Sequence, residues 1–173
     1  MYATPSPSKA RTPPKALARL LAAAALLLAA AAPGGAADCQ PVNGHYTERA
    51  ALGPGCPSLV GVCIEGTYSG VLRGDVSTVV RTFAPAEDPP VTSVFLFTAE
   101  SVIHAHLAGR EGDLWIRNAG AVRATGAGEI VDLQVVVGGT GDLADATGTL
   151  QTTGTFTFEA GGRSEYTGVV CVP

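Results

Sequence analysis

The strongest constraint on how this chain can fold is a turn-rich segment between two strand-like runs. Residues 135–148 read VVVGGTGDLADATG and separate an alternating apolar run from a threonine-rich run that continues to Phe158. The segment contains a G-x-G-x-x-A pattern, which in dinucleotide-binding proteins leads into a helix that faces the pyrophosphate. The residues after Gly148 are instead β-branched and interrupted by glycine, which is typical of a strand. We therefore predict a β-hairpin loop here and not a nucleotide-binding turn.

Short alternating segments bounded by turn residues fill the chain from Val60 onward, and no window places apolar residues at helical spacing. Eight strands at this spacing favour a β-sandwich or a β-barrel. The predicted strands cover residues 62–72, 75–83, 92–107, 113–118, 120–125, 129–137, 147–158 and 164–172.

The N-terminus has the pattern of a secretory signal peptide, which we assign to residues 1–37. Four basic residues precede an apolar run at residues 20–32, and small residues follow it up to Ala37. The run is short for a membrane span, although a retained anchor is the alternative. Residues 38–60 are rich in glycine and proline and predict an irregular N-terminal arm. The remaining length is enough for one domain.

The predicted mature chain is acidic and lacks lysine. After residue 37 it has 7 arginines against 15 aspartates and glutamates, a formal charge of −8. Nucleic acids and anionic membranes require a positive surface, so we expect neither as a partner once the signal is cleaved. The oligomeric state is not predicted.

All four cysteines lie in the exported part, and an even count there predicts disulfides. A zinc site is the alternative, but no C-x-x-C pair is present. Strand alternation places Cys63 and Cys171 on the outer faces of the first and last predicted strands. If those strands close a barrel, Cys63 pairs with Cys171 and, by elimination, Cys39 pairs with Cys56.

The period of two also predicts which side chains face the interior. The inward set comprises Leu72, Ala99, Ile103, Ala105, Leu107, Leu114, Ile116, Val131, Leu133, Val135, Val137, Leu150 and Val170, together with the aromatic residues discussed next. Glu100, the best-placed strand acid, is predicted to face outward, as are His104 and His106. These two histidines could form a metal-binding arm, but with only His45 left to complete it we expect a solvated face and no metal.

The predicted interior holds several aromatic residues that can line or fill a pocket. An inward phenol either hydrogen-bonds a ligand or acts as a weak acid, unless its hydroxyl reaches solvent at the rim. The ligand-lining candidates are Tyr68, Tyr166, Phe95, Phe97, Phe156 and Phe158. No G-x-S-x-G or comparable nucleophile turn is present, so a hydrolase is disfavoured.

The run GGTGDLADATG at residues 138–148, entered from an apolar strand and followed by a threonine-rich one, resembles the G-G-T-G-x-[FLY]-x-x-A-x-G loop of the allene oxide cyclase and dirigent superfamily. The resemblance covers residues 62–172 as a plan of strands and residues 135–148 as a motif. It implies an eight-stranded antiparallel barrel of the calycin type, here over residues 61–173. No catalytic residue of either family can be carried over to a matching position.

Members of this superfamily bind small hydrophobic molecules in the barrel lumen, and some direct a cyclisation or a radical coupling. The resemblance therefore implies a cofactor-independent binder of a small hydrophobic molecule, with cyclase or isomerase activity as its catalytic form, and the signal peptide predicts that it is secreted. The alternative is a non-catalytic structural or interaction protein with a packed lumen. An open pocket of about 300 Å³ or more separates the first from the second.

Overall fold

A computed structural model describes residues 37–86 and 93–173, so the predicted signal peptide lies almost wholly outside the described residues. The described chain is a closed barrel of eight antiparallel strands in sequence order, as predicted. The only helical element in these ranges is a 3-10 turn at Gly141–Leu143, and no helix there is long and apolar enough to cross a membrane. The strands are β1 (Asp38–Ala50), β2 (Cys63–Gly70), β3 (Leu72–Pro85), β4 (Val94–Leu107), β5 (Arg110–Arg123), β6 (Glu129–Gly139), β7 (Thr147–Thr157) and β8 (Gly161–Val172).

Two predicted strand assignments differ from the structure. The segments 113–118 and 120–125 form one strand, β5, because Gly120 continues the ladder opposite Asp132 of β6. Most of the predicted irregular arm is strand β1, which lies between β2 and β8 and closes the barrel. Pro41 misled the prediction, but it lies in the half of β1 that pairs with β8 alone, where a missing backbone donor is tolerated.

The disulfide pairing predicted from strand faces is wrong. The bonds are Cys39–Cys171 and Cys56–Cys63. Because β1 intervenes at the seam, Cys39 lies directly opposite Cys171 in the β1–β8 register, and Cys63 bonds instead within the 51–62 connection that covers it. Two disulfides fit folding in an oxidising compartment.

The predicted face of β6 is also wrong, whereas the faces of β4 and β5 are confirmed. Val131, Leu133, Val135 and Val137 face outward and are 38–54% exposed. The inward positions belong to Asp132 and Gln134, together with Ile130 and Val136. The partner strand explains this inversion: Val136 lies opposite the buried Ile116, and directly opposed residues share one face of the sheet. The β6 register therefore brings polar side chains into the lumen.

The lumen has two halves of different character. A closed half is packed solid with buried aliphatic and tyrosine side chains, and Leu72, Ile103, Leu143 and Leu150 are fully inaccessible. Burying each such side chain stabilises the fold by about 1.5–3 kcal/mol. An open half holds a smaller cluster of Ile64, Val80, Ala99, Val122, Ile130 and Phe156, edged by phenylalanines.

The β6–β7 loop seals the closed half, and the predicted hairpin is confirmed. Leu143 and Ala146 of the loop are fully buried and complete the closed-half core. Thr140 attaches the loop to β5, since its backbone N–H donates to Asp113 O over 2.9 Å. Its Oγ1 accepts the Asp113 N–H over 2.9 Å in return. The motif is therefore a structural plug, because its buried side chains complete the core of the closed half.

Candidate functional site

A cavity of about 70 Å³ occupies the open half of the lumen. All its wall residues come from inward strand positions or from the edge of the barrel. They are Tyr46, Glu48, Val62, Ile64, Tyr68, Val76, Thr78, Val80, Phe83, Phe97, Ala99, Ser101, Asn118, Val122, Ile130, Asp132, Gln134, Phe156 and Phe158. The volume exceeds what one water molecule needs but falls short of the roughly 300 Å³ expected for a ligand-binding lumen, so this cavity taken alone does not meet that criterion.

A chain of hydrogen bonds crosses the floor of this cavity, and we call it the polar chain. Its members are Thr78, Ser101, Asn118, Asp132, Gln134 and Tyr68, which come from five strands. On one side Ser101 Oγ donates to Asn118 Oδ1 over 3.1 Å and Asn118 Nδ2 donates to Asp132 Oδ2 over 3.0 Å. On the other side the Tyr68 hydroxyl donates to Gln134 Oε1 over 2.8 Å and Gln134 Nε2 donates to Asp132 Oδ2 over 3.1 Å.

Both arms of the polar chain therefore direct their donors to one oxygen, Oδ2 of Asp132. The residue is 7% exposed, and its other oxygen, Oδ1, has no partner at hydrogen-bonding geometry among the described residues. Burial raises the pKa of Asp132 to about 6, although the hydrogen bonds from Asn118, from Gln134 and from the backbone of Ala119 work in the opposite direction. The carboxyl is thus fixed in position and titrates near neutrality.

Glu48 of β1 is the second carboxyl in the cavity wall. Burial, together with the nearby charge of Asp132, raises the pKa of Glu48 to about 7. Its Oε1 has no hydrogen-bond partner among the described residues, and a Cβ on Gly162 would lie 3.1 Å from that oxygen. Gly162 thus leaves room for this side chain. Two buried carboxyls whose pKa values are raised towards neutrality can each gain or lose a proton near pH 7.

Two tyrosines stack beside these carboxyls. The rings of Tyr46 and Tyr68 lie 4.7 Å apart at 18°, and the Tyr46 hydroxyl donates to Thr152 Oγ1 over 3.4 Å. Burial raises the pKa of both phenols well above the ordinary value. Both hydroxyls therefore stay protonated at neutral pH, and each donates its proton to a neighbouring side-chain oxygen.

Phenylalanines surround the mouth of the open half, and we call Phe83, Phe95, Phe156 and Phe158 the aromatic collar. Phe83 stacks on Phe95 at 4.8 Å, and Phe158 meets the edges of Phe83 and Phe156 at 6.1 and 5.5 Å. A second pocket of about 260 Å³ lies at this mouth and shares Phe83, Phe156 and Phe158 with the inner cavity. The mouth pocket and the inner cavity thus adjoin at these rings, and the polar chain and Glu48 belong to the inner cavity alone.

Five of the six ligand-lining candidates from the sequence line at least one of the two pockets, and the sixth, Tyr166, does not. Tyr68, Phe97, Phe156 and Phe158 line the cavity, although Phe158 is also 46% exposed at the mouth. Phe95 lines the mouth pocket only.

Tyr166 lies in the closed half and has a structural role. Its hydroxyl donates to Leu72 O over 2.7 Å and accepts the Leu72 N–H over 3.1 Å. It therefore ties β8 to the β2–β3 turn, away from the cavity.

The outward-facing candidates form surface ion pairs. Glu100 pairs with Arg81 and Arg117, and Arg81 holds the pKa of this carboxyl below its ordinary value. His104 and His106 contact Asp113 and Glu111 of β5. His45 lies on β1, which is not a neighbour of β4, and no group of three or more potential metal ligands occurs among the described residues.

The polar residues of the cavity could not be recognised from the hydrophobic pattern, for identifiable reasons. Asn118 would have been found by continuing the alternation of Leu114 and Ile116 through one unbroken strand. Asp132 was assigned to the wrong face, and Glu48 was placed in an irregular arm. Their signal was a run of polar inward positions, which the hydrophobic pattern alone does not reveal.

Comparison with known proteins gives a family but no activity. No curated protein and no solved structure matches the chain. A family model described as "Protein of unknown function (DUF3224)" matches residues 44–168, which covers the whole of β2 to β7, the second half of β1 and the first two thirds of β8. The chain therefore belongs to the DUF3224 family.

Proposed function

We propose that this protein is secreted and binds a small, mostly apolar molecule in the open half of its barrel. A single observation carries the proposal: the cavity places two partly unsatisfied carboxyls, Glu48 and Asp132, beneath an aromatic mouth. A buried polar atom without a partner costs about 1–3 kcal/mol, so a packed structural core has no use for two of them. A bound molecule with a polar group would satisfy these atoms.

The size of the two pockets limits the ligand and its pose. The inner cavity of about 70 Å³ accommodates a polar head of a few atoms. The mouth pocket of about 260 Å³ accommodates an apolar body against the aromatic collar. Such division into an apolar wall and a few convergent polar groups is usual for small-molecule sites.

The same residues supply the means for a cofactor-independent cyclisation or isomerisation, which is the catalytic form of the proposal. With pKa values raised to about 7 and about 6, Glu48 and Asp132 can exchange a proton with a ligand near neutral pH. The Tyr68 hydroxyl donates its proton to Gln134 Oε1 and keeps a lone pair that can accept a hydrogen bond from the ligand. The collar would hold the substrate in one folded conformation, which lowers the entropic part of the barrier.

Thermal unfolding against a panel of oxylipins, polyketides and phenols tests the proposal. A ligand at a hundred times its dissociation constant stabilises the folded state by about 2.7 kcal/mol. Ala99→Leu should abolish the shift because Ala99 lines the cavity, whereas Ala119→Leu, on the exposed outer face of β5, should leave it unchanged. An unchanged shift in Ala99→Leu, or no shift with any compound, contradicts lumen binding.

A second candidate function is that of an interaction protein, and the outer face of β6 and β7 favours it. Val131, Leu133, Val135 and Val137 form an exposed apolar row on β6. The adjoining outward residues of β7 are uncharged: Thr149, Gln151, Thr153 and Thr155. Because the predicted mature chain carries a net charge of −8, two copies repel except through a neutral face. The occupant we propose for this face is therefore a second copy of the chain.

A further inference from the structure

We propose that the ligand of the open half is an organic cation, a protonated amine whose ammonium group lies between Glu48 and Asp132 and whose apolar body lies in the mouth pocket. This inference rests on the proposed function and names the chemical class of the molecule bound. Three observations support it: the charge of the cavity wall, the unpartnered oxygens of Glu48 and Asp132, and the aromatic rings of the two pockets.

The cavity wall is negatively charged and has no positive counterpart. Glu48 and Asp132 are its two carboxyls, Tyr46 and Tyr68 are its other titratable groups, and no arginine, lysine or histidine lines it among the described residues. Buried carboxylates in proteins are ordinarily paired with a cation or protonated. A ligand that brings its own positive charge completes this site, whereas an anionic ligand would be repelled.

Asp132 is built to receive a donor at one defined oxygen. Its Oδ2 already accepts from Asn118 and Gln134, while Oδ1 has no partner at hydrogen-bonding geometry in a residue that is 7% exposed. The unpartnered Oε1 of Glu48 gives the cavity a second acceptor. An ammonium group carries only donors, so it matches a pair of free carboxylate oxygens better than a hydroxyl or carbonyl does.

The aromatic rings of the two pockets also favour a cationic ligand with an apolar body. The stacked rings of Tyr46 and Tyr68 line the inner cavity, and the collar rings of Phe156 and Phe158 line both pockets. Aromatic faces attract cations, most strongly where water is excluded. The mouth pocket also contains Arg123, but this side chain is paired with Glu129 at 3.7 Å and is exposed. The geometry thus favours a compact ammonium head with an apolar body behind it.

Matched ligands that differ only in charge test the inference. Calorimetric titration of the intact protein with 2-phenylethylamine and with 2-phenylethanol at about pH 8 keeps size and shape nearly constant. We expect the amine to bind at least about tenfold more tightly than the alcohol, equivalent to about 1.4 kcal/mol. This preference should diminish at about pH 5, where both lumen carboxyls are protonated.

Three variants distinguish the lumen carboxyls from the general acidity of the protein. Asp132→Asn and Glu48→Gln should each lose the preference for the amine while the affinity for the alcohol is kept. Glu165→Gln removes the same charge from the exposed outer face of β8 and should change nothing. Circular dichroism confirms that each variant is folded, and Asn at position 132 still offers an oxygen to both donors.

The possible outcomes separate this inference from the proposed function. Equal binding of amine and alcohol overturns the inference and leaves the apolar ligand site intact. Absence of binding by both compounds counts against both ideas. Loss of amine preference to the same extent in Glu165→Gln overturns the inference too, because the attraction then comes from the surface charge.

Discussion

Gln134 holds the carboxylate of Asp132 in place from two residues further along β6. Its Nε2 donates to Asp132 Oδ2 over 3.1 Å, and its Oε1 accepts from the Tyr68 hydroxyl over 2.8 Å. Both side chains project inward because β6 is registered on Ile116 and Val122 of β5. The register of β6 thus places two of the polar side chains of the cavity, while the others come from β1 to β5.

The lumen carboxyls should make the protein less stable as the pH rises from about 4 to about 7. Burial raises the pKa of Asp132 from 3.8 to about 6 and that of Glu48 from 4.5 to about 7. The folded state therefore retains protons that the unfolded state releases. The stability linked to these protons is fully present below the unfolded pKa values and is lost as the pH rises through the folded ones. Each pKa unit corresponds to about 1.4 kcal/mol.

Urea unfolding across this pH range measures the pH dependence of stability. Comparison with variants separates the contribution of the two lumen carboxyls from that of the surface groups. We compare the free energy of unfolding of the wild type with that of the double variant Glu48→Gln/Asp132→Asn. As the pH rises from about 4 to about 8, the variant should become more stable relative to the wild type by at least about 2 kcal/mol. Glu165→Gln is the control, since its carboxyl is exposed. Parallel pH profiles for the wild type and the double variant would show that the two carboxyls are solvated.

Tyr68 and Tyr166 should behave differently when each loses its hydroxyl. Tyr166→Phe leaves both the N–H and the C=O of Leu72 without this partner in the closed core, which should cost about 1–3 kcal/mol. Its affinity for a lumen ligand should not change. Tyr68→Phe frees only Gln134 Oε1 and should alter ligand affinity with a smaller loss of stability. Urea unfolding and ligand titration of both variants check this, and equal effects on affinity would contradict the division of the lumen into two halves.

The sequence predicted the barrel because apolar periodicity is preserved where the core is packed. The inward faces of β4 and β5 were correct since Ala99, Ile103, Leu114 and Ile116 contribute to that core. The β6–β7 loop was recognised from its glycines, and it forms the predicted turn. Closure of a sheet into a barrel could not follow from periodicity alone, and it was expected from the resemblance.

The candidate site was the part least predictable from the sequence. Its inward positions hold polar residues, whereas the inward positions of the packed core hold apolar ones. In β6 the apolar residues such as Leu133 face solvent and Asp132 faces the lumen, so the hydrophobic pattern indicated the wrong face. In β1 a proline and inward-facing Gly44 and Glu48 concealed a strand. Positions that keep polar groups inside are stabilised by partners on other strands, and pairing information of this kind is absent from a local pattern.

The two disulfides should differ in their contribution to stability. Cys39–Cys171 spans 132 residues and Cys56–Cys63 spans 7. In the chain-entropy model the long loop contributes about 5 kcal/mol and the short one about 2 kcal/mol. Urea unfolding of the double variants Cys39→Ser/Cys171→Ser and Cys56→Ser/Cys63→Ser measures how much each disulfide contributes to the free energy of unfolding. Replacing both cysteines of a pair leaves no free thiol. Peptide mapping of the unreduced protein should recover a Cys39–Cys171 fragment. A larger loss from the short-loop pair would contradict the expected order.

The exposed row on β6 should mediate self-association. Leu133→Glu places a charge at the centre of the row, where Val131 and Val135 flank it on the same face, and should shift a dimer towards monomer. Thr47→Glu adds the same charge on the exposed face of β1, across the barrel, and should not. Sedimentation equilibrium over a wide range of protein concentration gives the association state of each. Barrel folding is unaffected by either change because both side chains point away from the core, so circular dichroism should be unaltered. The β6 face is not an interface between copies if the wild type is monomeric at every concentration, or if Thr47→Glu dissociates to the same extent as Leu133→Glu. Either result would remove the structural basis for an interaction role and would leave the proposal of lumen binding unaffected.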